Sequence, residues 1–118
     1  MRLSLRHAIP FATLTLLACG EADEGSGDSA NASVERGRTV YQNVCIACHN
    51  GNPSVDGSLG PAVAGASLEL LEAKVLRGEY PPDYSPKRPG SSVMPRFEFV
   101  AEALPALAAY LAEVEPGG

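Results

Sequence analysis

Apolar residues recur at helical steps in three stretches, separated by long runs rich in glycine and proline. Val34, Gly37, Val40, Tyr41, Val44 and Cys48 follow three- and four-residue intervals, and Ser33 stands ahead of them as a cap, which predicts a first helix. A second helix is predicted from Ser67, with Glu69 and Glu72 early, Lys74 and Arg77 late, and Gly78 at its end. That order of charge complements the helix dipole. Its expected buried stripe is Leu68, Leu71 and Val75. A third helix carries Leu104, Leu107, Leu111 and Val114 on one face and stops at Pro116-Gly117-Gly118. Proline is tolerated only near a helix start, so Pro105 places the first regular turns around Ala101 or Glu102. Residues 50–66 and 79–99 read as loops. No stretch alternates with period two for long enough to build a sheet, so the expected fold class is all-α.

The N-terminal third breaks this pattern twice. Arg2 and Arg6 precede an apolar run over 8–18, interrupted only by Pro10, Thr13 and Thr15. About eleven residues is the length of a signal-peptide core and too short to span a bilayer. The run ends in Leu16-Leu17-Ala18-Cys19, which resembles the bacterial lipobox; that resemblance implies cleavage before Cys19 and lipidation of its thiol. A lipidated Cys19 also accounts for the odd cysteine. The alternative is an ordinary secretory signal releasing a soluble periplasmic protein. From Gly20 to Ser33 the chain turns to Glu, Asp, Gly, Ser, Ala and Asn, with almost nothing to bury, and reads as a flexible acidic tether. At ~5–6 Å times the square root of its length, such a tether reaches roughly 20 Å. The expected layout is therefore a leader over 1–18, a tether over 19–33 and one domain over 34–118, on the periplasmic side and held to a membrane through the lipid.

Charge and composition narrow the domain further. The formal charge of −5 becomes −7 when Arg2 and Arg6 leave with the leader. Setting aside Glu21, Asp23, Glu24 and Asp28 of the tether leaves −3 on the folded part. That argues against nucleic acid as a partner. The chain has no tryptophan, and aromatics make up 6% of it. A domain of roughly 85 residues with so few large side chains has a thin core of its own.

Cys45-Ile46-Ala47-Cys48-His49 carries the chemistry. C-x-x-C-H is the attachment pattern for c-type haem. Two thiols three positions apart can each add to one vinyl group, and the histidine that follows lies where its imidazole can bind the iron. One haem c, held through two thioethers, would also supply the missing apolar mass. A thioredoxin-like dithiol wants a βαβ context that is missing here. A zinc site needs four ligands, whereas the chain has three cysteines and two histidines, with His7 in the leader and Cys19 at its end.

The order of parts resembles that of class I monohaem cytochromes c. A helix runs into C-x-x-C-H; a Gly-Pro loop, a middle helix, a Met-Pro loop and a last helix ending in Tyr110-Leu111 follow. The resemblance covers nearly all of the domain and implies a small fold of about three main helices plus loops wrapped around the haem. It implies a close crossing of the first and last helices, with Gly37 and Tyr41 against Leu107 and Tyr110. It implies Met94, in Ser92-Val93-Met94-Pro95, as the axial ligand opposite His49. Beyond the leader these are the only methionine and the only histidine. It also implies a backbone acceptor for the other ring nitrogen of His49, from Gly60-Pro61. Arg77, Tyr80, Tyr84, Lys87, Arg88 and Arg96 are candidates for the haem propionates.

The function so implied is single-electron transfer without enzymatic turnover, between exported or membrane redox proteins such as a dehydrogenase, oxidase or reductase. Two other readings stay open: a gas sensor or peroxidase-like enzyme with a labile or absent methionine ligand, and a fixed cytochrome subunit of a larger redox complex.

Overall fold

The structure is a computed structural model and describes residues 25–90 and 94–117. The leader over 1–18, Cys19 and the start of the tether lie outside the described residues. Helix α1 (Gly25–Val40) runs into π-helical turns over Tyr41–Cys45. Helix α2 (Leu68–Leu71) widens in the same way over Glu72–Arg77. A 3-10 helix, Glu98–Ala103, leads into α3 (Leu104–Glu113). Among the described residues there is no strand, and the fold is all-α.

The crossing of α1 and α3 organises the molecule. A Cβ on Gly37 would overlap the Ala106 carbonyl and lie 2.9 Å from Tyr110 Cβ, so glycine is what allows the two backbones to meet. One turn on, Tyr41 packs its ring 5.7 Å from that of Tyr110 at an interplanar angle of 52°. Tilted pairs of this kind contribute roughly 0.5–1.5 kcal/mol beyond their buried area. The Arg38 guanidinium lies 5.2 Å from the Tyr110 ring centre. Leu104, Leu107 and Leu111 are buried along α3, with Leu71, Val75 and Val100 completing the core. Of the residues expected here, Gly37, Tyr41 and Tyr110 meet at this crossing, and Leu107 is buried in the core. Ala106, whose backbone Gly37 meets, carries no signal in the apolar pattern.

The helix boundaries differ from expectation in instructive ways. Helix α1 already includes Gly25, the first described residue, eight residues before Ser33, so Ser33 lies inside it and caps nothing. Residues 27–32 are exposed, and the tether's last residues are thus helical without packing. No proline interrupts them, and adding turns to an existing helix is far easier than starting one. Ser67 does cap α2, accepting the Leu70 N–H at 3.2 Å, and Gly78 ends that helix with φ of 73°. Of the expected stripe, Leu71 and Val75 are buried, but Leu68 is exposed and Ala73 is buried instead. From Glu72 onward the turns are π-helical, which rotates later positions away from the α-helical register. Regular α-helix begins at Leu104 rather than Ala101, after the 3-10 turns, with Pro105 in its first turn where no N–H is needed.

The 50–66 loop is pinned to the end of α3. Gly65 N–H donates to the Leu111 carbonyl at 2.8 Å, and the Ser54 hydroxyl donates to the Glu115 carbonyl. Val63 and Ala64 both donate to Pro53 O, at 2.8 and 3.0 Å. The loop is therefore a wall of defined shape between the first helix and the second.

Candidate functional site

The end of the first helix turns the chemical motif inward. Cys45 closes the π-helical segment, and the N–H groups of Cys48 and His49 both donate to its carbonyl, at 3.2 and 2.9 Å. On this tight turn the Cys45 and Cys48 side chains and the His49 ring all line one cavity of about 330 Å³. Apolar residues of the core, among them Leu71, Val75 and Leu107, form much of its wall, and Met94 and Pro95 reach it from the last loop.

His49 is held in one orientation. Its Nδ1 lies 2.8 Å from the Pro61 carbonyl oxygen. A carbonyl can only accept, so Nδ1 carries a proton, and Nε2 is the ring nitrogen left to face a metal. Gly60 makes room for the ring: a Cβ there would come within 2.6 Å of Nδ1 and 2.8 Å of Nε2. Leu59 and Gly60 donate their N–H groups to the Cys48 carbonyl at 3.2 and 2.9 Å, and Gly57 donates to Gly60 at 2.9 Å. A Cβ on Gly57 would lie 2.6 Å from the His49 backbone. On the other side, the buried Tyr41 hydroxyl donates to the Asn50 carbonyl at 2.5 Å and fixes the residue after the histidine. Gly60 and Pro61 thus sit against His49, where the Gly-Pro resemblance places them.

Burial shifts two groups at the end of the first helix. Burial, with smaller repulsions from Cys45 and Tyr110, pushes the Tyr41 hydroxyl up to about 12. Burial pushes the Cys45 thiol up to about 11, so at neutral pH it is protonated. A redox-active dithiol has the opposite character, with a lowered thiol pKa.

Met94 is half-buried and packs against the core. Just beyond it, Phe97 N–H donates to the Val75 carbonyl at 2.8 Å, tying this loop to the second helix. The propionate candidates divide. Tyr80, Tyr84 and Lys87 line the cavity, whereas Arg77, Arg88 and Arg96 do not. Arg77 pairs with Glu79 at 3.6 Å, and Arg88 pairs with Asp56 at 3.4 Å and donates to the Gly57 carbonyl at 3.0 Å. Tyr80 stacks on Tyr84, with ring centres 5.4 Å apart and planes 10° from parallel. Lys74, which sequence reasoning left among the dipole charges of the second helix, also lines the cavity, with its ammonium 4.1 Å from the Tyr80 ring centre. Asp56 was missed altogether: its carboxylate accepts the Ala62 N–H at 2.7 Å. A lone Asp in a Gly- and Ser-rich loop reads only as a turn residue.

A helical cradle that presents C-x-x-C-H to an apolar cavity defines the class: this is a c-type cytochrome domain. The model of one family, described as cytochrome C oxidase, cbb3-type, subunit III, matches residues 32–111, and the chain belongs to that family. Neither a curated protein nor a solved structure matches the chain. Family membership implies covalently bound haem c and haem-based electron transfer on a small all-α cytochrome c fold. The residues present fit that group. Two thiols share one wall with an imidazole whose Nδ1 is engaged by Pro61, a glycine leaves room for that ring, and the lining is largely aliphatic. Among the described residues no helix is long and apolar enough to cross a membrane.

Proposed function

We propose that the chain is a class I-type monohaem electron carrier, with haem attached through Cys45 and Cys48 and iron held between His49 and Met94. The observation that carries this reading is the convergence of all four side chains on one apolar cavity, with His49 Nδ1–H donated to Pro61 and Nε2 left for the iron. When bound, haem supplies a one-electron couple at its iron. The chain's own part is to exclude water with the core leucines and valines, to fix the imidazole with Gly60 and Pro61, and to offer a thioether from Met94. A thioether favours ferrous iron relative to a second imidazole, and two protein ligands keep reorganisation small and leave no site for substrate. A Cys45 thiol raised by burial lacks the lowered pKa on which dithiol redox chemistry relies. Lys74, Tyr84 and Lys87 supply positive charge and hydroxyl donors at the cavity for the propionates. Exported and lipidated on Cys19, the domain works at a membrane and exchanges electrons with exported or membrane redox proteins.

The test is the visible spectrum of haem-matured wild type and Met94→Ala, oxidised and reduced. The expected result is a weak long-wavelength charge-transfer band in the oxidised wild type that the variant loses. A wild type lacking the band, with ferrous iron that binds carbon monoxide readily, would replace the carrier by a sensor or enzyme. Substituting Cys19 by Ser tests the anchor: unchanged membrane retention sinks it. The family's description favours a second reading, a cytochrome subunit of a larger oxidase. Co-purification with oxidase subunits at constant stoichiometry would establish that reading, and a domain that elutes alone from gently solubilised membranes would exclude it.

A further inference from the structure

The peptide unit joining Pro61 to Ala62 is engaged at both ends. Its carbonyl oxygen accepts from His49 Nδ1 at 2.8 Å, and its N–H donates to Asp56 Oδ1 at 2.7 Å. Carboxylate, amide and imidazole therefore form one continuous hydrogen-bonded line. Metal-binding histidines commonly donate their free N–H to a carboxylate or to a carbonyl. Here the carbonyl accepts directly, and a carboxylate stands behind it. We propose that Asp56 is a positioning residue that tunes the iron on His49 through the Pro61–Ala62 amide, an inference that rests on His49 being an iron ligand.

Polarisation passes along the line of bonds. A carboxylate accepting from an amide N–H draws electron density toward the amide oxygen, which then accepts more strongly from its own donor. Such chains strengthen each bond by roughly 10–30%. A stronger acceptor at Nδ1–H makes the imidazole more basic, favours ferric iron and lowers the reduction potential. Geometry favours this bonded route over a through-space one. The Asp56 side chain is 64% exposed, so water and salt screen its direct field at the iron. The Ala62 N–H is the main influence keeping Asp56 ionised, and the Arg88 and Lys87 charges reinforce it. Arg88 lies 3.4 Å from the other carboxylate oxygen, Oδ2, and competes for its charge, while Lys87 Nζ donates to the Ala62 carbonyl at 2.8 Å and steadies the loop.

The experiment uses the full chain matured with haem, as wild type, Asp56→Asn, Arg88→Ala and Glu113→Gln. The last neutralises an exposed acid elsewhere and sets the size of a purely coulombic shift. Two quantities are read: the reduction potential, and the proton resonance of His49 Nδ1–H in the diamagnetic ferrous state. In Asp56→Asn the reduced-to-oxidised ratio at fixed poise should rise about threefold, or about 30 mV for a one-electron couple. The Nδ1–H and Ala62 amide resonances should both move upfield as their hydrogen bonds weaken. Arg88→Ala should move the ratio and the Nδ1–H resonance the opposite way. A stationary Nδ1–H in Asp56→Asn, with a potential shift no larger than that of Glu113→Gln, overturns the inference while leaving His49 on the iron. His49 ring protons without a haem ring-current shift in the wild type overturn the ligation reading itself, and this inference with it.

Discussion

The two sides of the cavity are built by different means. The histidine side, 45–66, is locked by short-range constraints: a one-turn fold of the motif, backbone bonds from Leu59 and Gly60 to Cys48, and glycines at 57 and 60 where any side chain would collide with His49. The methionine side, 80–97, has five prolines and few described backbone bonds, those of Tyr84 to Pro81, Phe97 to Val75 and Val100 to Phe97. It is held instead by side chains that reach across: Lys87 to Ala62, Arg88 to Gly57 and Asp56, and the Tyr80–Tyr84 stack over Lys74. His49 is thus placed by backbone geometry and Met94 by a loop that leans on the histidine side. Backbone locks tolerate no added volume, whereas side-chain clasps fail singly and gradually.

The largest contrast should come from one substitution on each side. Gly60→Ala forces the His49 ring off its acceptor. Losing such a partner typically costs about 10–100-fold in metal affinity, so the variant should yield little six-coordinate holoprotein. Met94→Ala should still give haem-stained protein on a denaturing gel, because both thiols and the histidine side are intact. Comparable haem incorporation in the two variants would mean that the sides are not built differently after all. Next in size is Gly37→Ala, which touches neither side but drives α1 and α3 apart at Ala106. Overpacking of this kind costs about 2 kcal/mol even after the gain in helix propensity. Thermal unfolding of the holoprotein should then fall by about 10 °C.

The difference between the sides also explains what was legible in the sequence. Cys45, Cys48 and His49 are adjacent in the chain, so a local motif identified them. Gly37, Tyr41 and Tyr110 lie on periodic helices, where spacing and resemblance together located the crossing. Gly60 and Pro61 came from the resemblance alone, because a Gly-Pro pair is otherwise only a turn signal. What escaped is what depends on long-range loop contact. Asp56 and Arg88 are 32 positions apart in two aperiodic loops, and no pattern joins them. Lys74 was readable as a dipole charge, and its place in the cavity lining beside Tyr80 is a contact that no sequence pattern marks. The π-helical turns escaped for another reason: a change in hydrogen-bond register is a response to packing, and the apolar spacing of Leu68, Leu71 and Val75 is compatible with an ordinary α-helix.

A smaller effect probes the histidine side from behind. Tyr41→Phe keeps the ring packing against Tyr110 and removes the hydroxyl that donates to Asn50. One such hydrogen bond is worth about 1 kcal/mol net. The expected loss is a fall in Tm of about 4–8 °C for a domain of this size, with the spectrum unchanged. A changed spectrum would mean that the Tyr41 hydroxyl steers His49 as well as supporting the turn.

The smallest effect falls on the clasp between the two sides, and its pH dependence identifies its nature. The Ala62 N–H, aided by Arg88 and then Lys87, holds the Asp56 carboxyl below its ordinary value of 3.8. A carboxyl whose pKa is depressed on folding adds stability that is fully present above the unfolded value and is lost as pH falls through the folded one. The wild type should therefore exceed Asp56→Asn in stability at neutral pH by an amount that stays flat down to the ordinary Asp range. The two should converge below it, where the wild-type carboxyl is itself protonated. Denaturant unfolding of the two holoproteins across acid pH measures that gap directly. Because Asp56 is largely exposed, the part due to Arg88 and Lys87 should shrink in high salt. The part due to the Ala62 N–H should persist, since a short hydrogen bond to backbone is not displaced by ions. A gap that salt abolishes entirely would make the clasp a surface ion pair and nothing more. A gap that survives salt yet closes in acid would mark Asp56 as the point where the methionine-side loop and the histidine's acceptor are joined.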